Sequence, residues 1–250
     1  MDAVRLHVGT GHLALTHSLA DGKVAILSHL ESLSPLSDDD RALLASALGP
    51  FSSWREGHEL IKCDAILDDP VFVVSGWVGR VVDLHDGRRQ IVAFYIPGDL
   101  VGFSSRPGAQ ARASHICLTN VVTANAREVI RNARQESVRY YALIGALNAV
   151  EDEINKGLID QIVRVGRMAA HERMIDLIAD LYRRHRRAGL GFANGFVFPL
   201  TQETLGDAIG LSTVHINRVL QQLRRENIIK TTTGRIEIPN PALLAVRPER

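Results

Sequence analysis

The fold is decided by residues 202–221, which run Gln202-Glu203-Thr204-Leu205-Gly206-Asp207-Ala208-Ile209-Gly210-Leu211-Ser212-Thr213-Val214-His215-Ile216-Asn217-Arg218-Val219-Leu220-Gln221. Two short helices joined by a tight turn are predicted here. Gly206 has no Cβ and lets the helices approach closely, and Gly210 supplies the left-handed backbone that ends the first helix. Ser212 can cap the second. Seven apolar residues are predicted to form the buried side: Leu205, Ile209, Leu211, Ile216, Val219, Leu220 and Leu223.

The other face of the second helix carries residue types that can touch the edges of DNA bases. This recognition face consists of Thr213, Val214, Asn217, Arg218 and Gln221. A guanidinium fork such as that of Arg218 matches O6 and N7 of guanine, and a side-chain amide can pair with adenine. A helix pair of this form predicts a protein that recognises DNA sequence.

Length and composition are those of a soluble globular protein with two domains. The chain has 250 residues, of which 46% are hydrophobic and 23% charged. No apolar run approaches the roughly 20 residues that span a bilayer. The N-terminus lacks the basic start and apolar block of an export signal. We therefore expect a cytoplasmic protein without a membrane partner.

The net charge of +1 conceals an uneven distribution. Residues 164–250 hold 14 Lys and Arg against 8 Asp and Glu, whereas residues 1–163 hold 15 against 20. The basic part suits a polyanion such as DNA. On charge alone, an ordinary solvated surface is the alternative interpretation.

The residues that could carry redox or metal chemistry are few. Cys63 and Cys117 are too few for an iron–sulfur cluster, which needs about four thiolates. Both are interpreted as structural thiols, with redox sensing left open. A cupin-type enzyme usually needs two histidines two residues apart, and the sequence contains no His-x-His. We therefore predict no catalytic residue and no metal site.

The first half of the chain changes from helical to β-rich patterns. Residues 1–23 are predicted to be a flexible arm, followed by a helix over 24–33 and another capped by Ser37. Asp86-Gly87 is a hairpin signal. Strands are predicted over 71–75, 77–84, 90–96 and 114–124, as in a small antiparallel barrel or roll, with a helical turn over 126–133.

Residues 137–165 are predicted to form one long helix. Alternating steps of mostly four and three residues indicate the seam of a two-stranded coiled coil, formed by Leu143, Leu147, Val150, Ile154, Leu158, Gln161 and Val165. A helix packed in the core of one subunit is the alternative. Gly157 interrupts the seam, and Gly166 marks a hinge.

The last part of the chain completes a DNA-binding module. Residues 169–185 are predicted to form an amphipathic helix, followed by a glycine-containing loop. Residues 228–232 and 235–238 then form a β-hairpin, a wing beside the second helix of the pair.

In this order the segments resemble the CRP/FNR family of bacterial transcription regulators. The resemblance covers about residues 25–240, and four pieces carry it: Val74-Ser75-Gly76-Trp77-Val78, Asp86-Gly87-Arg88-Arg89-Gln90-Ile91, Pro97-Gly98-Asp99-Leu100-Val101-Gly102 and Leu200 to Leu223. It implies an α+β fold with an antiparallel β-roll like that of cyclic-nucleotide-binding domains, a long dimerisation helix and a winged helix-turn-helix. The corresponding domains are the arm 1–23, the sensor 24–134, the dimerisation helix 135–165 and the DNA-binding domain 166–250.

The resemblance also assigns roles to individual residues. Arg218 falls where the family carries an arginine that recognises guanine, and Val214 replaces a glutamate that accepts from cytosine in many relatives. Valine can only pack on an apolar group such as a thymine methyl. The other DNA-contacting residues implied are Thr201, Gln202, Ser212, Thr213, His215, Asn217 and Gln221, for several of which capping or solvation is the alternative.

The predicted effector pocket departs from nucleotide-binding relatives. Gly98, Asp99 and Leu100 keep part of the family's nucleotide-binding segment, but Arg112 is displaced by one position from the phosphate-binding arginine. One step in a strand turns a side chain to the opposite face. Neither cyclic nucleotide nor any other cofactor is expected, and the effector stays open. Haem has candidate ligands, but their spacing is unpaired: His58, His85 and His115.

These inferences give a homodimeric regulator that binds an inverted repeat in double-stranded DNA. Its recognition helices would enter successive major grooves roughly 34 Å apart. The family resemblance implies RNA polymerase as a further partner. The alternative is a small-molecule-responsive effector module whose DNA binding is conditional or vestigial. The operator, the regulated genes, and activation against repression stay open.

Overall fold

A computed structural model describes residues 12–192, 194–232 and 234–244. The predicted α+β class with antiparallel sheets and a C-terminal helix-turn-helix is confirmed. The chain forms two compact units, the first from residues up to Val81 with Phe94–Lys156, and the second from Val82–Ala93 with the residues from Gly157 onward. The division thus falls inside the long helix rather than at residues 134 and 165. Within the described ranges, no helix is long and apolar enough to span a membrane.

The first of the two N-terminal helices begins earlier than predicted. The first helix, α1, covers His12–Leu33, so residues 12–23 are helical rather than a loose arm, and residues 1–11 lie outside the described part. The second, α2, covers Asp38–Ala47. Ser37 caps it as predicted, because its Oγ accepts from the Asp40 amide at 3.2 Å and the Asp40 carboxylate accepts from the Ser37 amide at 2.8 Å.

Eight strands form two four-stranded sheets, which agrees with the predicted roll. The strands are β1 (Phe51–Trp54), β2 (Glu59–Ile61), β3 (Val71–Ser75), β4 (Val78–Asp83), β5 (Arg89–Tyr95), β6 (Leu100–Val101), β7 (Ser114–Cys117) and β8 (Val121–Asn125). The strand orders are β1-β8-β3-β6 and β2-β7-β4-β5. At the predicted hairpin, the Leu84 amide donates to the Arg88 carbonyl at 2.7 Å and Gly87 has φ +84°.

Two further helices follow the roll. They are α3 (Arg127–Gln135) and the long helix α4 (Tyr141–Arg167). The core of the first unit contains Leu30 of α1, Phe72 of β3, Leu100 of β6 and Leu143 of α4. Gly166 is not a break, since α4 runs through it.

The second unit contains the winged module. Its elements are α5 (Ala170–Arg187), β9 (Gly195–Val197), α6 (Gln202–Ile209), α7 (Thr213–Arg225), β10 (Lys230–Thr232) and β11 (Arg235–Glu237), followed by a 3-10 turn over Pro241–Leu244. The predicted wing is present as β10 and β11, and β9 from the glycine-containing loop extends it to a sheet of order β10-β11-β9.

Candidate nucleic-acid interface

The helix pair α6–α7 has the local geometry predicted from its turn residues. Thr201 caps α6, since its Oγ1 accepts from the Thr204 amide at 3.1 Å. Gly210 ends α6 with φ +69°, in the left-handed region. Ser212 caps α7, since its Oγ accepts from the His215 amide at 3.3 Å. The turn is therefore fixed by backbone and cap groups at both ends.

Close packing of the two helices depends on Gly206. A Cβ at this position would lie 2.5 Å from the Leu211 carbonyl oxygen, closer than van der Waals contact permits. Six of the seven predicted core residues are buried, and Leu211 is half-buried: Leu205, Ile209, Ile216, Val219, Leu220 and Leu223. Because this apolar side of α7 is buried, the opposite side of the helix faces solvent.

The recognition face is open to solvent. All nine residues predicted to contact DNA are exposed: Thr201, Gln202, Ser212, Thr213, Val214, His215, Asn217, Arg218 and Gln221. Val214 is 62% exposed, although an apolar side chain gains nothing from water. The hydroxyl of Ser212 accepts from a backbone amide as a cap and keeps a proton to donate, whereas the Thr201 hydroxyl also shares a hydrogen bond of 2.8 Å with the Thr204 hydroxyl.

Helix α5 braces both helices of the pair. The Arg173 guanidinium donates to the Ile209 carbonyl at 3.0 Å, at the end of α6. His171 Nε2 lies 2.7 Å from a Glu226 carboxylate oxygen, at the end of α7. Hydrogen bonds from Gln222 and His171 lower the pKa of Glu226. Helix α5 thus holds the C-terminal ends of α6 and α7.

Basic residues that the sequence prediction did not single out surround the helix pair. Exposed positions on α7 and the wing are Arg224, Arg225, Lys230 and Arg235. Arg224 Nε donates to Thr231 Oγ1 at 2.7 Å, which ties α7 to β10. The Arg235 guanidinium lies 5.1 Å from the centre of the Phe192 ring. The excess of positive charge in residues 164–250 was the signal that pointed to them.

The predicted coiled-coil seam on α4 is wrong over its first half. Leu143, Leu147 and Val150 are buried in the core of their own unit, and Ile154 packs against that core. Gln161 is buried in the second unit, while Leu158 and Val165 are half-buried. The face of α4 that carries these predicted seam residues therefore packs inside the chain over its first half.

A second face of α4 keeps the same spacing and is exposed. Alternating steps of four and three residues define this exposed stripe: Tyr141, Gly145, Asn148, Asp152, Asn155, Ile159, Ile162 and Gly166. Tyr141 is 76% exposed, Ile159 61% and Ile162 69%. Apolar side chains in such a row are costly to leave in water.

Three of the four residues predicted to bind an effector are buried, and the fourth is exposed. Leu100 is buried in β6, and the Gly98 carbonyl accepts from His29 Nδ1 at 3.0 Å. The Asp99 carboxylate accepts from the Ile96 amide at 2.7 Å. These groups are used to join α1 to the loop between β5 and β6. Arg112 is exposed, and its neighbours in sequence are buried alanines.

His29 links three elements of the first unit. Its Nε2 lies 3.3 Å from a Glu153 carboxylate oxygen and its Nδ1 lies 3.5 Å from Asp99. Burial opposes protonation of His29, but the hydrogen bond to Glu153 and the charge of Asp99 outweigh it and raise the pKa above 6.5. A charged His29 therefore stabilises the contact of α1 with α4.

The remaining cysteines and histidines are dispersed. Cys63 is exposed and Cys117 is buried, and burial raises the pKa of the Cys117 thiol to about 12. His58 stacks on Trp54 with ring centres 4.5 Å apart, and His85 is exposed beside the hairpin turn. Among the residues with a described position, no three His, Cys, Asp or Glu side chains form a group that could hold a metal ion.

His115 should make the folded state sensitive to acid. Burial and the nearby charge of Arg80 lower its pKa from 6.5 to about 4. Between pH 6.5 and about 4 His115 binds a proton in the unfolded chain but not in the folded chain, so the free energy of unfolding falls as the pH falls. At 1.36 kcal/mol per pKa unit, the loss reaches about 3 kcal/mol.

Urea unfolding at several pH values between 4.5 and 7.5 measures this effect. We expect His115→Gln to flatten the pH dependence of the free energy of unfolding, and the exposed His85→Gln to leave it unchanged. Equal slopes in the wild type and His115→Gln would contradict the assignment.

The helix pair lies in a segment that matches the model of a known domain family. The model of the Crp-like helix-turn-helix domain matches residues 172–247. The chain is 28% identical over 184 residues to the transcriptional activator protein FnrL of Cereibacter sphaeroides, with 72% of each chain covered. It is 26% identical over 195 residues to the nitrogen fixation regulation protein FixK of Rhizobium meliloti, which covers 77% of this chain and 84% of that protein.

Solved structures show the same architecture. The structure of FixK2 from Bradyrhizobium japonicum matches with a TM-score of 0.68 at 26% identity. The match covers 78% of this chain and 94% of that one. It therefore includes elements of both compact units.

Proposed function

The chain belongs to the CRP/FNR family of transcription regulators, and we propose that it binds an inverted-repeat operator as a homodimer, one α7 helix in each half-site. The exposed recognition face carries this proposal. Its polar and cationic side chains lie on a helix whose opposite side is core, so they are presented to a major groove without rearrangement. The N-terminus of α7 adds a partial positive charge suited to phosphate.

Each exposed side chain has a distinct part in the proposed complex. Arg218 donates two hydrogen bonds to guanine, and the amides of Asn217 and Gln221 are placed for adenine or phosphate. Val214 packs on a thymine methyl group. Hydroxyls, an amide and an imidazole near the helix starts bind backbone phosphates and fix the register: Thr201, Gln202, Ser212, Thr213 and His215.

The exposed stripe supports the homodimer. Its second half is apolar at Ile159 and Ile162, which would bury these side chains against their symmetry mates. Gly145 and Gly166 permit close approach of the two helices. Asn148 and Asn155 lie at seam positions where buried amides fix the pairing register. A parallel pair of α4 helices would place the two recognition helices on one side of the duplex.

A second candidate function is regulation by a small molecule bound in the roll. Two buried polar atoms favour it, Arg80 Nε and His115 Nδ1, which have no hydrogen-bond partner among the described residues. Such atoms are costly unless a ligand or water meets them. Gly98 and Asp99 are hydrogen-bonded to His29 and Ile96, and Arg112 is exposed, so we propose neither cyclic nucleotide nor a resident cofactor. RNA polymerase is proposed as a partner from family membership.

Selection from a pool of random duplexes tests the proposed function. The purified full chain is expected to enrich an inverted repeat whose half-sites lie about one helical turn apart, with a conserved guanine. Binding should weaken steeply with salt, as for other proteins that contact several phosphates. Failure to enrich any motif, with equal affinity for all duplexes, would refute it.

The role of Val214 predicts a dependence on one methyl group. Replacing the contacted thymine by uracil removes that methyl, and we expect the wild type to lose about fourfold in affinity for each half-site, from about 0.8 kcal/mol per methyl. Val214→Ala should be indifferent to the replacement. Fluorescence anisotropy measures both, and equal losses in the two proteins would remove Val214 from the contact.

A further inference from the structure

A closed set of hydrogen bonds joins α6 to the end of α4 and to the segment 82–93, all within the second unit. Two side-chain amides, those of Gln90 and Gln161, each donate to the same two carbonyl oxygens, those of Ile91 and Ala208. Gln161 Nε2 lies 3.3 Å from the Ile91 oxygen and 2.5 Å from the Ala208 oxygen. Gln90 Nε2 lies 3.1 Å and 2.9 Å from them. We call these four groups the amide square.

The amide square is saturated, and its members are buried except for Gln90, which is half-buried. Each amide nitrogen has two hydrogens and each carbonyl oxygen two lone pairs, so every group meets two partners. Gln161 is only 7% exposed. Such a network is rigid when complete and costly when one member is missing.

The network continues into α5. The Gln161 carbonyl oxygen accepts from the Arg164 guanidinium, which in turn bonds to the Asp176 carboxylate at 2.8 Å. Arg164 and Asp176 are both buried, and this makes the pair dependent on its geometry. The Gln161 side chain therefore connects α4 directly to α6 and β5, and it is linked to α5 through Arg164.

An ion pair lies next to the square. Arg89 Nε is 2.6 Å from the Asp207 carboxylate, one residue before Ala208 in α6. Arg89 is more than a third exposed, so the pair adds little stability and mainly fixes direction. Two successive residues of α6 are thus held by two successive residues of β5.

The square does not cover the recognition face. None of the nine residues predicted to contact DNA takes part in it, and all nine stay exposed. The square therefore leaves the recognition face open to a duplex. The restraint acts on the orientation of α6 and, through the helix turn, on α7.

We propose that Gln161 is a positioning residue for DNA binding, which holds the helix-turn-helix in its operator-binding orientation with no effector bound. The proposal rests on the proposed function. Its physical basis is preorganisation: when only a fraction of molecules has the competent orientation, the apparent Kd rises by the inverse of that fraction. Intact, the square keeps that fraction near one.

Gln161→Glu tests the proposal, because it keeps the shape but replaces the donating amide by a carboxylate facing two carbonyl oxygens. We expect about a tenfold loss of affinity for the selected operator and less than about twofold for a random duplex. The exposed Gln135→Glu is the matched control and should change neither. Native mass spectrometry of the wild type checks that the titrated protein carries no small molecule.

Gln90→Leu supplies a second test if Gln161→Glu folds poorly by circular dichroism. It removes one amide from the square, and we expect a loss of about threefold in operator affinity. We expect the double variant Gln90→Leu/Gln161→Leu to lose less operator affinity than the product of the fold-losses of the two single variants, since both residues act in one network.

The outcomes separate the two proposals. A wild type that prefers no operator refutes the proposed function. A wild type that binds its operator only after addition of a cell extract, or a folded Gln161→Glu with unchanged or tighter operator binding, overturns the role of Gln161 and leaves the proposed function standing.

Discussion

Arg218→Ala is expected to lower affinity for the selected operator by about 1–3 kcal/mol in each half-site, and therefore by at least roughly thirtyfold in a dimer whose half-sites are both affected. The guanidinium is exposed on α7, and its two parallel hydrogen bonds to guanine have no substitute in alanine. Since the side chain is outside the core, the free energy of unfolding should stay within about 0.5 kcal/mol of wild type.

Arg225→Ala is the matched control for this change. It removes the same charge from the same helix, at an exposed position outside the recognition face. We expect it to weaken operator and random duplexes alike, through loss of a general electrostatic term. Fluorescence anisotropy at fixed salt measures both variants. Unchanged operator binding by Arg218→Ala would mean that α7 is not the recognition helix.

Ile162→Glu is expected to convert the proposed dimer into monomers. Two glutamates would meet across the helix pair in a seam that excludes water, at a cost of several kcal/mol from like charges. The protein should then elute and scatter light with half the mass of the wild type. Operator affinity should collapse, because a monomer holds only one half-site.

Glutamate substitutions at two other positions serve as controls for this test of the dimer. Val24→Glu introduces the same charge at an exposed apolar position of α1, and we expect a dimer with normal DNA binding. Ile154→Glu should lower the free energy of unfolding instead, because Ile154 packs against the core of its own unit. A dimer persisting in Ile162→Glu would exclude the exposed stripe as the seam.

The helix-turn-helix could be predicted from sequence because its determinants are local. Gly210 and Ser212 act within one or two turns of their own positions, and the helix end and the cap that they predict are present. The hairpin at Asp86-Gly87 and the cap at Ser37 follow the same principle. Each signal needs only its sequence neighbours to take effect.

The face of α4 that we propose for pairing could not be predicted, because hydrophobicity marks burial and not the partner that causes it. Two faces of this helix have the alternating spacing. The more apolar one, with Leu143 and Leu147, packs inside the chain, and the other keeps its apolar residues Ile159 and Ile162 toward one end. Only the position of the roll against α4 separates them.

The amide square could not be predicted for a related reason. Gln161 contacts backbone carbonyls that lie 70 and 47 residues away in sequence. Carbonyl acceptors have no sequence signature, so a buried glutamine gives no indication of its partners. Gly98 and Asp99, which resemble part of a ligand site in sequence, contact His29 of α1 in the structure.

The most direct measurement pairs one atom of the DNA with one side chain. Replacing the conserved guanine of each half-site by 7-deazaguanine removes N7 alone, an acceptor that the Arg218 guanidinium is proposed to bind. We expect the wild type to lose affinity for the altered operator and Arg218→Ala to bind both operators equally. Equal losses in the two proteins would contradict recognition of DNA by this face of α7.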